Sequence, residues 1–165
     1  MKTSVVLHLC GVLFSVNAAG AAKPDGKKTA DADRKEVVEL MGRMDRAMTA
    51  RNIADYMALI DSSAEFHLNT PTSQGPQAMN FNYEEYRQMV ASSFADASSY
   101  QVRRQDLQVT ALPEGKMMAT DLLFESIKMK DREFKTITSE RMLFARKGGA
   151  FKLIGLGSNV VSSTK

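Results

Sequence analysis

The sequence changes its dominant period near residue 96, and that change constrains the fold more than any motif in it. Up to that residue the apolar residues recur mainly at helical spacing, with one short alternating stretch at 64–69; beyond it they alternate, in long stretches divided by turn residues. In 34–50, "RKEVVELMGRMDRAMTA", Val37, Leu40, Met41, Met44, Ala47 and Met48 form one stripe on a helix, with Asp31 or Asp33 placed to cap it. A shorter helix follows in "NIADYMALID", capped by Asn52, with Ile53, Tyr56, Met57 and Ile60 facing inward. "AEFHLN" (64–69) is a strand in which Phe66 and Leu68 alternate with Glu65, His67 and Asn69. Residues 69–81, with Pro71, Gly75 and Pro76, are expected to form a long loop. Asn82 with Glu85 makes a capping box, Phe81 and Tyr86 are set for a hydrophobic staple, and the third helix turns Tyr86, Met89, Val90 and Phe94 inward.

The remainder predicts strands over 98–112, 116–129, 133–146 and 150–161. In the first, Tyr100 and Val102 share one phase while Leu107, Val109 and Ala111 share the other, which predicts a β-bulge over 103–106. A turn at Asp131–Arg132 would set Glu125 opposite Thr138 and Leu123 opposite Glu140. A Gly148–Gly149 hairpin would set Met142 opposite Gly155 and Glu140 opposite Gly157. One sheet face then carries Asp121, Leu123, Glu125, Glu140, Met142, Phe144, Phe151, Leu153 and Asn159; the other carries Leu122, Phe124, Arg141, Leu143, Ile154 and Leu156. Segregation of helices from strands predicts an α+β domain over 34–161.

Residues 1–22 read as a signal peptide: Lys2, an apolar run from Val5 to Val16, and the small residues of "AAGAA". The run is too short to span a bilayer, so no stable membrane insertion is expected after cleavage, and the protein is expected to be periplasmic or secreted. Cys10 follows Leu9, where a lipidation site needs a small residue. Residues 23–33, "KPDGKKTADAD", are expected to be a flexible leader into the domain. Cleavage would remove Cys10 and His8, the sole cysteine and one of two histidines, leaving no thiolate and no multi-histidine metal set. No metal and no cofactor is therefore expected. The 22 basic residues are dispersed among 19 acidic ones, so the net charge of +3 does not describe a nucleic-acid face.

Two stretches resemble the nuclear transport factor 2-like superfamily, in its SnoaL-like and ketosteroid-isomerase-like bacterial branches. They are "ARNIADYMALIDSSAEFH" (50–67) and "SERMLFARKGGAFKLIGLGSN" (139–159), with Phe151 where the family often has Trp. The resemblance implies an exported bacterial member with a conical fold, three N-terminal helices packed on a curved antiparallel sheet around a pocket. It also implies that the face bearing Asp121 lines that pocket, giving Tyr56, Phe66, His67, Tyr86, Leu123, Glu125, Met142, Phe144 and Asn159 as ligand-pocket residues. His67 falls on the strand where several enzymes of the superfamily place an acid or base, and Asp121 and Glu140 could act with it; these three are the catalytic candidates. The alternative is that His67 is a wall or rim residue and that the carboxylates pair with Arg141 or Arg104.

The function expected from the sequence is a noncatalytic module binding a small apolar or amphipathic molecule or a protein partner. The alternative is a small isomerase, dehydratase or cyclase using His67 with a pocket carboxylate. Three helices can shield only one sheet face, so a homodimer through the outer face is expected. N-terminal sequencing of exported protein should begin at about residue 22 or 23; an intact form starting at Met1 as the main product would refute cleavage.

Overall fold

The computed structural model describes residues 25–72, 74–130 and 132–164. The expected signal peptide and Asp131 of the expected turn lie outside the described residues. The elements run α1 (Asp25–Ala50), α2 (Ile53–Ala58), β1 (Ile60–Thr72), β2 (Gly75–Phe81), α3 (Tyr83–Asp96), β3 (Ser99–Ala111), β4 (Met117–Met129), β5 (Arg132–Lys147) and β6 (Ala150–Thr164). Six strands make one curved open sheet in the order β2-β1-β6-β5-β4-β3, with the helices on its inner face.

Helix α1 begins at Asp25, within the segment expected to be a flexible leader. Ala30 and Ala32 favour helix, and the acidic residues there find partners. Asp31 pairs with Arg34 at 2.7 Å and Asp33 with Arg146 at 2.7 Å. Arg34 Nε donates to Val109 O at 2.9 Å, and Glu36 accepts from Phe151 N at 3.2 Å, so this stretch is tied to both β3 and β6. Its stripe of Val37, Leu40, Met41, Met44, Ala47 and Met48 is buried. Asn52 accepts from Asp55 N to cap α2, and Asn82 forms the full capping box with Glu85 on α3.

The sheet departs from expectation at four places. Residues 69–81 are not a loop: β1 and β2 form a hairpin, pairing Phe66 with Phe81 and His67 with Asn80. The sheet is mixed instead of antiparallel, since β1 runs parallel to β6. The β4–β5 turn comes one residue early, so Leu123 meets Thr138, Glu125 meets Thr136, and Asp121 meets Glu140. That change moves the pairing by two residues and leaves every side chain on its expected face. The fourth departure does change faces. β5 and β6 pair Phe144 with Leu153 but Leu143 with Gly155, leaving Ile154 as an extra residue. Beyond this bulge Met142 meets Leu156 and Glu140 meets Ser158. Leu156 and Ser158 are thus buried on the inner face, and Asn159 turns to the exposed outer face.

The bulge in β3 lies where the phase change points, with a register shift between Gln105 and Gln108 and Asp106 at φ 55°. Gly148 (φ 60°) and Gly149 (φ 90°) make the β5–β6 turn, with two successive positive φ values that suit glycine. Phe66, Phe144, Met117, Met142 and Leu153 are fully buried between sheet and helices.

Candidate functional site

Between the sheet and the helices is a cavity of about 190 Å³. Met44 and Met48 of α1, Tyr56 of α2, and Tyr86, Met89, Val90, Ser93 and Phe94 of α3 form its helix side. Leu68, Tyr100, Arg104, Leu123, Glu125, Glu140, Met142, Leu153, Leu156 and Ser158 form its sheet side. The aromatic wall is interlocked: Phe94 meets Tyr100 edge-on at 5.4 Å, Tyr56 meets Phe94 edge-on at 6.3 Å, and Phe66 stacks flat on Tyr86 at 3.7 Å. The Tyr56 and Tyr86 hydroxyls lie 3.0 Å apart. One donates to the other, which leaves a second hydroxyl proton for a ligand.

The polar end is organised by Arg104. Register places Asp121 directly opposite Glu140 on the inner face, an unfavourable pairing of two carboxylates. Arg104 Nη1 resolves it by donating to Asp121 Oδ2 at 2.7 Å and Glu140 Oε2 at 2.8 Å, while Nε donates to Asp45 Oδ1 of α1 at 2.8 Å. The side chain of Arg104 is 8% exposed, Asp121 0% and Glu140 9%, so the cluster is shielded from water. Burial works against the arginine charge, but Glu140, Asp45 and Asp121 together outweigh it and hold the guanidinium firmly protonated.

The acids respond in the opposite sense. Burial raises the Glu140 carboxyl to about 7; Arg104 pulls it back, and Asp121 and Glu125 push it further up. Asp121 is also raised, by burial first, with Arg104 opposing and Asp45 adding. Asp121 Oδ1 is buried without a hydrogen-bond partner. Among the described residues no donor reaches Glu140 Oε1. Glu125 accepts from Tyr100 Oη at 2.5 Å and from Thr136 Oγ1 at 3.0 Å. Tyr56, Tyr86 and Tyr100 are all raised, mainly by burial, and remain neutral hydroxyls.

Of the residues expected at the pocket, Tyr56, Tyr86, Leu123, Glu125 and Met142 line it, as does Glu140. Phe66 and Phe144 are 0% exposed and sit behind the wall. Asp121 is held behind Glu140 and Arg104. His67 is a correction. Its side chain is 60% exposed and its Nδ1 lies 2.7 Å from Asn80 Oδ1, because alternation with buried Phe66 turns it to the outer face. His67 cannot reach the pocket carboxylates, so the acid–base pairing expected of it does not form. Asn159 is a second correction: the Ile154 bulge turns it outward, where it accepts from Asn69 Nδ2 at 2.7 Å. Arg141, a proposed partner for the carboxylates, is exposed on the outer face.

Arg104 was legible, since Tyr100, Val102 and Arg104 share one phase ahead of the bulge. Leu68 followed from the same alternation as Phe66. Ser158 and Leu156 could be found only by knowing the bulge. Among the described residues no group of three or more His, Cys, Asp or Glu could hold a metal ion, and no helix is long and apolar enough to cross a membrane.

No protein-family model matches the sequence, and no curated protein sequence matches it. Solved structures do match in fold. A candidate scytalone dehydratase from Novosphingobium aromaticivorans superposes with a TM-score of 0.71 at 7% identity, over 84% of this chain and 90% of that one. A candidate dehydratase of the NTF2-like family from Streptomyces avermitilis gives 0.66 at 13% identity, over 80% and 98%. A type 3 hexachlorocyclohexane dehydrochlorinase from Novosphingobium barchaimii gives 0.64 at 12% identity, over 82% and 93%. The chain thus has the nuclear transport factor 2-like fold.

The raised Glu140 gives a signed pH effect. The folded protein retains a proton that the unfolded chain releases between about 4.5 and about 7. This contribution to stability is full below about 4.5 and is lost as pH rises to about 7. Thermal unfolding should show wild type losing roughly 3 kcal/mol or less across that window relative to Glu140→Gln. A pH-independent difference between the two would refute a raised Glu140.

Proposed function

We propose that the cavity is a small-molecule site for proton-transfer chemistry of the elimination or isomerisation type, with Glu140 as the base. The observation that carries this reading is Glu140 itself. One of its oxygens is fixed by Arg104, the other has no protein donor among the described residues, and its carboxyl is raised to about 7 at the wall of the cavity. A base near neutrality combines a useful ionised fraction with proton affinity. Glu140 Oε1 would take a proton from a substrate carbon. The Tyr56–Tyr86 hydroxyl pair would supply a hydrogen bond to the oxygen on which charge develops. The size suits one ring, since a cavity of about 150 Å³ holds benzene. The similar structures include dehydratase candidates and a dehydrochlorinase, whose names denote loss of water or of hydrogen chloride. A noncatalytic pocket for a small apolar or amphipathic molecule is the second reading, favoured by the outward position of His67.

Two further proposals concern the whole molecule. The N-terminal segment is an export leader, on the residues given above, and the protein is periplasmic or secreted. The outer sheet face pairs with a second copy, supported by Leu122, Phe124, Leu143 and Ile154, which are half-buried there with no helix over them among the described residues. Arg103 lies 4.5 Å over the Phe124 ring and would border such an interface.

Hydrogen–deuterium exchange in heavy water tests the base without a known leaving group. Wild type should exchange the α-protons of single-ring ketones or β-hydroxyketones, and Glu140→Gln should lower the rate about 10²-fold or more. His67→Ala should match wild type and change stability by less than about 1 kcal/mol. Ligand binding without exchange would leave the noncatalytic reading. For assembly, sedimentation should give a dimer mass at micromolar concentration, shifted toward monomer by Leu143→Glu, which places a charge in the interface from both copies.

A further inference from the structure

We propose that the cavity takes a small organic cation, a protonated amine carried on a single ring or an apolar body of that size. The inference rests on the second, noncatalytic reading of the cavity as a small-molecule site, since an ammonium on Glu140 Oε1 occupies the oxygen a base would use, and it names the class of molecule held there. Charge imbalance is the first observation. Arg104 is the only cationic residue lining the cavity among the described residues, and Asp45, Asp121 and Glu140 all claim it. Glu125 lies outside that set, held by the neutral hydroxyls of Tyr100 and Thr136. Four carboxyl groups therefore stand against one guanidinium, which bonds three of them.

The second observation is independent of the charge count. Glu140 is nine-tenths buried and lines the cavity, and its Oε1 has no protein donor among the described residues. An ammonium N–H would supply that donor and the missing positive charge together. The rest of the lining suits the same ligand. Tyr56, Tyr86, Phe94 and Tyr100 give an aromatic wall, and π faces attract cations most strongly where water is excluded. An anionic ligand would meet carboxylates with no free cation among the described lining residues to receive it. A neutral ligand would leave the imbalance to be met by a proton on Glu140.

That competition gives the proposal its readout, because the ammonium displaces the Glu140 proton. The groups facing Glu140 are Arg104 and Tyr100 from β3, Asp121 and Glu125 from β4, Tyr56 from α2 and Tyr86 from α3, with Asp45 of α1 acting through Arg104 and Asp121. The tyrosines stay neutral and Arg104 stays charged near neutral pH, which leaves the carboxyls to respond.

The probes are benzylamine, benzyl alcohol and benzoate, titrated calorimetrically into the full purified protein at about pH 6 and about pH 8. Benzylammonium should bind about tenfold or more tightly than benzyl alcohol at the higher pH, with benzoate weakest. The preference should shrink severalfold at the lower pH. Glu140→Gln should remove most of it; should that variant fail to fold, Glu125→Gln should lower the preference in the same direction. Benzyl alcohol binding as tightly as benzylammonium, or benzoate binding best, overturns the cation proposal and leaves the small-molecule site standing. Binding of none of the three overturns both.

Discussion

The interior depends on one arginine. Register alone sets Asp121 against Glu140 across β4 and β5, and an α1 carboxylate, Asp45, faces the same space. Without a cation between them these groups could be buried only as neutral acids. Arg104 turns a repulsive triad into a connected network and ties the first helix to the middle of the sheet through Asp45. Such networks are costly to desolvate and add little net stability, while removal of one partner leaves others buried and unpaired. The presence of this network at a cavity wall, instead of a packed apolar layer of equal volume, is what motivates the proposal of a functional site there.

The fold serves this arrangement by making one face of the sheet dry. Helix α1 lies mainly along β3 and α3 lies against β1, so the helices roof opposite ends of the sheet and leave room between them. Arginine contacts fasten the roof: Arg146 reaches both Asp33 and Glu36, and Arg51 donates to Ala97 O at the end of α3. Each lies near the edge of the domain, where a partly solvated pair costs less to form. The methionines at the cavity fill irregular space between aromatic rings with flexible side chains, so the wall can adapt to differently shaped ligands.

Most of the fold was legible because its signals are local. The stripe from Val37 to Met48, the capping box at Asn82 and Glu85, the bulge in β3 and the Gly148–Gly149 turn each follow from residues close in sequence. Pairing between distant strands was not legible. Nothing in 69–81 announces that it will fold back on β1, since Pro71 and Pro76 disfavour a strand and are tolerated here in an edge hairpin. The site was legible only in part, and for the same reason. Glu140 and Glu125 follow from face parity and Tyr86 from the apolar stripe of α3, whereas Leu156, Ser158 and Asn159 sit beyond an extra residue that no side chain near Ile154 declares. The outward position of His67 follows from its own alternation with Phe66, and the resemblance drew attention to it against that signal.

The Ile154 bulge also bears on how such a chain can vary. Two residues, Leu153 and Ile154, occupy the span that β5 crosses in one step from Phe144 to Leu143. A deletion of Ile154 would let the ladder close without moving the partners of Met142 and Glu140, because Leu156 and Ser158 already hold those positions. The strand is thus a two-part scale with slack at its middle. The hairpin end can lose a residue there while the cavity wall keeps its reading frame, so the terminal turn and the cavity can drift separately over evolutionary time.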